Sequence, residues 1–383
     1  MKNKEALVIG LGISGCTAAR MLADAGYSVT CFESESRIGG ILFDELRPNG
    51  VRVQSFGPHI FHTNNENVYS FLKRFGSFFP YQHHVLVSIG GKRVPLPLNP
   101  RSLEILFGEK QASSLLSRIA SAFPEERRVS VDQLNSSGDA KLIDLGRFMI
   151  ENILSLDLNR KEGSSFLPAD DSFMNDAFVE TTSDDSYYTD KIQAMPMQGF
   201  TDVMERMIDH PAITVFLNLN ALSRLSFHED DYSILLDGIP FKGPVVYTPS
   251  LDKLFDYRFG ALPYRAGTVT FKDLPTDFQN ECAVIFSPKD KETIRMTESK
   301  YLTLQALDGQ TSLCCEGPFA RQAKNLSTPF EPEITSQNLE LYGKYQDLAK
   351  KYSSLHLLGR IACYKNLSIA ECIEQASDFI SSL

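Results

Sequence analysis

The chain has no tryptophan and is poor in cysteine, histidine and positive charge. Its 383 residues include 7 cysteines and 7 histidines. Without tryptophan, every aromatic stacking surface must come from 26 Phe and 14 Tyr. The cysteines stand singly apart from Cys314-Cys315, in odd number and without a Cys-x-x-Cys spacing, so neither a disulfide framework nor a zinc site is indicated and a reducing compartment is expected. Lys and Arg total 38 against 48 Asp and Glu, a net charge of −10 that argues against a nucleic-acid binder. It leaves room for a local basic pocket around a small anion. No apolar run approaches the ~20 residues of a membrane-spanning helix. The opening MKNKEALVIG passes straight into a strand pattern without a signal-peptide core, so a cytoplasmic protein is expected.

Apolar residues make up 43% of the chain, enough for a sizeable core, and the length suits two or three sub-domains. ALVIG (6–10) is a continuous apolar run, the pattern of a strand buried on both faces. Gly10, Gly12 and Gly15 follow as GxGxxG, then a helical pattern over 17–26, then a strand over 27–33 ending in Glu33. Strand, glycine turn, helix and a terminal acid 23 residues after the first glycine form a dinucleotide-binding fingerprint. Gly10 permits the tight turn, Gly12 lets a pyrophosphate approach the backbone, and Gly15 lets helix and strand pack closely. Ile13 and Ser14 open the helix, whose first N–H groups and positive dipole end suit phosphates. Glu33, with Ser34 beside it, suits ribose hydroxyls. The second glycine pair of ESRIGG, with Arg37, Gly39 and Gly40, favours a long cofactor such as FAD, covered from that side too.

SFGPHIFHTNN (55–65) sets His59 and His62 behind the Gly57-Pro58 break, with Ile60 and Phe61 between them. The residues alone allow a metal pair, a core histidine with a surface neighbour, or a loop laid against a ligand. A metal would need further ligands that no other His, Cys or Asp cluster supplies.

Several stretches, in one order, resemble the UDP-galactopyranose mutase family. They are RIGGILFDE (37–45), GPHIFHTNNENVY (57–69), YQHHVLVSIGGKRVPLPLNP (81–100), SYYTDKIQAMPMQGFTDVMERMIDHP (186–211), FDYRFGALPYR (255–265), RMTESK (295–300) and GRIACYKNLSIAECI (359–373). The resemblance implies that the 57–60 loop lies against the ring of FAD, with His59 near its reactive N5 edge. Arg360 would touch the cofactor's pyrophosphate, and the helix start at Leu367, Ser368 and Ile369 would direct N–H groups at the flavin. Arg295 would hold the substrate diphosphate, Arg265 would be a second basic group near the site, and His83, Tyr187 and Asn366 would contact a nucleotide sugar. The implied reaction interconverts pyranose and furanose forms of that sugar, with N5 of reduced FAD as nucleophile at the anomeric carbon. A flavin oxidoreductase or a non-catalytic FAD-binding relative on the same scaffold are the alternatives.

The chain also departs from the family. LDLNRKEG (156–163) carries Asp157 and Glu162 where the family has a tyrosine and a stacking tryptophan, and no arginine stands near Asp176, where the family has a lid arginine. Asn366 and Ser368 replace a substrate-binding Tyr and Asp. The expectation is a retained flavin half and a rewritten nucleotide-sugar half, with UDP-galactopyranose a poor ligand. The expected fold class is α/β: a Rossmann-like FAD-binding domain from 1–74, 190–250 and 335–383, a mainly helical insertion at 101–189, and an antiparallel β-sheet domain from 75–100 and 251–334. A homodimer is possible on this reading.

Overall fold

The computed structural model describes residues 4–154, 177–279, 282–286, 293, 295–307, 309–321 and 331–383. A five-stranded sheet runs in the order Ile213–Phe216, Tyr27–Phe32, Lys4–Ile9, Val245–Tyr247 and Leu355–Leu357. Every pairing in it is parallel. The apolar run of the first strand splits by alternation. Ala6 and Val8 enter one core with the helix Ile13–Asp24, while Leu7 and Ile9 enter another with Tyr247, Tyr345 and Tyr352. Both faces are thus covered, as a continuous apolar strand requires. The final helix, Ile369–Ser381, packs on Ile13–Asp24 and supplies Ile373 and Ala376 to the first core.

The second large sheet has seven strands, in the order Glu331–Pro332, Tyr264–Leu274, Thr311–Arg321, Arg295–Glu298, Ala283–Phe286, Val85–Ile89 and Lys92–Leu96. It is antiparallel except where Val85–Ile89 meets Ala283–Phe286 in parallel. A helical layer (Pro100–Phe107, Glu109–Ala122, Val131–Ser136 and Ala140–Met149) packs against the hairpin 85–96 through Val87, Val94, Leu103 and Leu142. The polar stretch EERRVSVDQLNSSGDA (125–140), whose composition predicts a loop, instead contains the strand Arg128–Ser130 and the helix Val131–Ser136. Val129, Val131 and Leu134 within it are all fully buried, and Ser130 with Gln133 closes a capping box. A short antiparallel meander, Leu225–Phe227, Ile234–Leu236 and Ile239–Phe241, hangs from the parallel sheet without any expectation from the sequence.

The two halves are stitched beside the histidine loop. The strand Phe61–Thr63 pairs with Ile192–Pro196, which leads into the helix Phe200–Ile208. Asp44, of the RIGGILFDE stretch, caps that helix. Its carboxylate accepts from Thr201 N–H at 3.2 Å and from Arg52 Nη1 at 3.0 Å. Gly199 precedes the helix at φ +90°, and a Cβ there would fall 2.3 Å from Asp44 Oδ1. Among the described residues no helix is long and apolar enough to cross a membrane.

Candidate functional site

The glycine turn separates into two kinds of glycine. Gly10 has φ +86°, and a Cβ on it would lie 2.3 Å from Thr248 Oγ1; on Gly15 it would lie 1.8 Å from the Gly10 carbonyl oxygen. Those two are demanded by the protein's own packing. A Cβ on Gly12 would meet nothing nearer than the Gly40 Cα at 3.8 Å, and Gly40, at φ +54°, lies against it in turn. Gly39 donates its N–H to the Leu11 carbonyl at 2.8 Å, so the two glycine turns form one bare backbone cleft. The helix that begins at Ile13, with Ser14 next, has Gly12 as its N-cap and no side-chain cap. Its first N–H groups therefore open onto the cleft.

Glu33 closes the far end. It is buried, with Oε2 accepting from Leu11 N–H at 2.7 Å and Oε1 accepting from Glu35 N–H at 3.0 Å and from Ser34 at 3.3 Å. Arg37 stacks on the Phe43 ring at 3.9 Å. Beside Glu33 runs a segment that no motif announced. Phe216 accepts from Glu33 N–H, Leu219 donates to Glu33 and Asn218 donates to Glu35, all at 2.9 Å. Phe216 and Leu217 are each 40% exposed there, an apolar lip next to the buried acid.

The histidine loop gives its two histidines different work. Gln54 grips the His59 backbone from both sides, accepting its N–H and donating to its carbonyl at 3.1 Å. His59 Nδ1 bonds the Gly57 carbonyl at 2.8 Å, which places the proton on Nδ1. Burial, then the nearby Arg360 and Arg295 guanidinium groups, pull its pKa down to about 4 against the Gly57 carbonyl and Glu316, so it is neutral at pH 7. Ile60 is buried behind it, and Pro58 carries the chain from the left-handed Gly57, φ +91°. His62 turns the other way, bonding Asp190 at 2.8 Å and stacking on Tyr188 with ring centroids 3.8 Å apart. Asn64 holds the other oxygen of Asp190 at 2.9 Å. His62 thereby fastens the SYYTDK stretch to the loop.

That stretch brings Tyr187 to His83, whose carbonyl accepts Tyr187 N–H at 2.9 Å and whose ring meets the Tyr187 ring edge-on at 5.6 Å. His83 is 2% exposed and bonds Tyr81 at 3.1 Å. Burial, with Arg295 and the two neighbouring histidines, lowers its pKa to about 3. Arg295 lies in register opposite Glu316 on the adjacent strand. Its Nη2 donates to Glu316 Oε1 at 2.7 Å and its Nε to Oε2. Burial works against the guanidinium charge, but Glu316 overrides it and raises the pKa.

Arg360 donates to Asn366 and sits 3.8 Å from Glu331, while its Nε is buried with no hydrogen-bond partner. Asn366, expected to contact substrate, is thus engaged with Arg360. The helix start 367–369 is capped by Ser368, which accepts from Glu371 N–H at 3.2 Å and gives its own N–H to Glu371 at 2.7 Å. Leu367 packs on the first core and Ile369 is buried in it. Arg265 lies on the strand Tyr264–Leu274, with its side chain outside the described residues. Asp157, Glu162 and Asp176 lie outside them as well. Gln54, Glu316 and the 216–219 segment were missed at the sequence level. No local sequence signal marks any of them, since the pairing of Glu316 with Arg295 is set by strand register.

Sequence comparison decides the family. Residues 166–366 match the UDP-galactopyranose mutase profile, and residues 8–75 match an NAD(P)-binding Rossmann-like domain. The UDP-galactopyranose mutase of Mycoplasma pneumoniae is 30% identical over 97% of this chain and 94% of its own. The chain belongs to the UDP-galactopyranose mutase family. An Escherichia coli dTDP-fucopyranose mutase is also similar, 26% identical over 97% of this chain and 96% of its own. A crystal structure of reduced UDP-galactopyranose mutase superposes with a TM-score of 0.66 at 14% identity, covering 100% of this chain and 94% of that one. Membership makes the chain an isomerase of the nucleotide-sugar mutase type with FAD as cofactor. The residues fit that cofactor: a bare Gly12–Gly40 cleft, an uncapped helix start, a buried acid at its end and a buried Arg360 Nε lacking a partner.

Proposed function

We propose that this protein interconverts the pyranose and furanose forms of a nucleoside-diphosphate sugar over a reduced FAD. The observation that carries the reading is the convergence of Arg295, Arg360 and a neutral His59, all partly buried, with Gly359 next to Arg360 lying against Ser14 at the start of the first helix. Reduced FAD, when bound, supplies an electron-rich nitrogen able to attack an anomeric carbon without net oxidation.

The protein's own residues then bind, orient and exclude water. The Gly12–Gly40 cleft and the N–H groups after it take the cofactor's pyrophosphate, and Arg360 turns its unpartnered Nε to the same charge. Glu33 and the 216–219 lip take the ribose and base end. His59 keeps its proton on Nδ1, directed into the loop, so at neutral pH it brings no charge and no loose proton to the reacting centre. Arg295, held charged, receives the substrate's diphosphate and stabilises the negative charge that grows on it as the sugar–oxygen bond breaks. Tyr187, braced by His83 and by Tyr188, on which His62 stacks, walls the sugar side.

The nucleotide and sugar are a further part of the proposal. The similar dTDP-fucopyranose mutase and the altered residues 157, 162, 366 and 368 favour a nucleoside-diphosphate sugar other than UDP-galactopyranose. Dithionite-reduced protein incubated with UDP-, GDP- and dTDP-sugars, with pyranose and furanose products separated, tests the whole reading. Furanose product from one of them is expected. Products formed equally by oxidised and reduced protein, or none from any sugar, would overturn it.

A further inference from the structure

Resting on that reading, we propose that Glu316 is a positioning residue for Arg295: it grips the guanidinium by one edge, presents the other to the diphosphate, and by its own charge limits how tightly that diphosphate binds. The two residues face each other in register on neighbouring antiparallel strands. Nη2 and Nε of Arg295 both donate to the carboxylate, the first at 2.7 Å. A guanidinium is a rigid planar fork, so fixing this edge fixes the direction of the remaining N–H groups on Nη1 and Nη2.

The carboxylate faces the histidine loop on its other side. Oε1 lies 3.0 Å from where a Gly57 Cβ would be, close against the loop backbone. That backbone is held in turn, with Gly57 N–H on the Gln54 carbonyl at 3.2 Å and the Gly57 carbonyl on His59 Nδ1 at 2.8 Å. Glu316 therefore lies between the loop and Arg295, with a side chain 14% exposed. Arg295 and Glu316 cancel in charge, His59 is neutral, and a diphosphate arriving at Arg295 meets a carboxylate already seated there. Orientation is gained and affinity is given up.

A merely structural salt bridge predicts that any change at Glu316 weakens binding and turnover together. The positioning role predicts that they separate. UDP and dTDP are titrated calorimetrically into the FAD-loaded wild type and into Glu316→Gln and Glu316→Asp variants, and kcat is measured on the best sugar substrate. Glu316→Gln removes the competing charge, so the better-bound nucleotide should bind about three- to tenfold tighter. The loosened guanidinium should lower kcat about tenfold or more, since small misplacements are costly. Glu316→Asp keeps the charge but cannot span the same fork, so it should lower kcat without tightening binding. If Glu316→Gln misfolds, the aspartate variant still carries the test. Weaker nucleotide binding in Glu316→Gln, or an unchanged kcat in both variants, overturns the inference while leaving the mutase reading standing. A wild type that binds neither nucleotide removes both.

Discussion

Two alanines, three residues apart, should have opposite consequences. At Gly12 the backbone is extended, φ −79° and ψ −169°, which any residue adopts. A Cβ there would meet only the Gly40 Cα at 3.8 Å and the Gly39 carbonyl oxygen at 4.0 Å, both ordinary contacts. The protein itself has no objection to Gly12→Ala. The objection comes from whatever approaches the bare cleft. Flavin-stripped Gly12→Ala should therefore unfold in urea within about 0.5 kcal/mol of the stripped wild type, as for a substitution away from any packed feature. Its FAD affinity should fall at least tenfold, about 1.4 kcal/mol or more. Gly15→Ala reverses the pattern. Its Cβ would lie 1.8 Å from the Gly10 carbonyl oxygen, an overlap between backbone-fixed atoms that no rotamer relieves. It should cost the stripped protein about 3 kcal/mol, the upper part of the overpacking range. Urea midpoints of stripped protein and flavin absorbance per mole of purified protein read the two effects separately. If Gly12→Ala keeps full flavin, or destabilises the stripped fold as much as Gly15→Ala does, the cleft is not where the cofactor's pyrophosphate lies.

Arg295→Ala should weaken nucleotide binding by about 2–5 kcal/mol, because it also strands the half-buried Glu316; an unchanged Kd by calorimetry would reduce Arg295 to a structural ion pair. Acid should destabilise the fold through His83, whose pKa is lowered to about 3 and whose unfolded value is ~6.5. Between those values the unfolded chain binds the proton and the folded one does not, so stability present above pH ~6.5 is lost on the way down to ~3. His83→Gln should flatten that limb of a stability-versus-pH curve, and an unaltered limb would assign it to other groups. In competition titrations against the reduced enzyme, UDP should be displaced by dTDP or GDP. Tight, selective UDP binding would show that residues 156–163 compensate for the altered positions.

What could be read from the sequence, and what could not, follows from chemical range. GxGxxG with Glu33 declares itself because all its parts lie in one strand–turn–helix unit, whose backbone needs bare glycine at fixed places. The paired cores on either side of the first strand were legible in ALVIG for the same local reason. Gln54 was not, since a glutamine clamping a backbone five residues away looks like any polar residue. Glu316 was hidden because its partner is set by strand register, which a single strand's sequence does not carry. The helix at 131–136 escaped because three buried apolar residues were diluted by polar neighbours serving as caps. For Arg360, the family resemblance implied a charge for the pyrophosphate, and the structure adds a hydrogen bond from its guanidinium to Asn366.

The order of strands in the parallel sheet also governs how the protein can be made. The strand Lys4–Ile9 has Val245–Tyr247 as one neighbour, and beyond that lies Leu355–Leu357. The helix starting at Ile13 is covered by a helix that ends at Ser381. A ribosome that has released the first hundred residues has exposed the whole glycine fingerprint but not the strands and the helix from 245 onward that cover it. Synthesis proceeds at ~5–20 residues per second, so this apolar strand, paired early with Tyr27–Phe32, waits on the order of tens of seconds for Val245–Tyr247 on its other side. A chain truncated before Leu355 should accordingly emerge colourless, however intact its nucleotide motif, and flavin absorbance per mole of purified protein checks it.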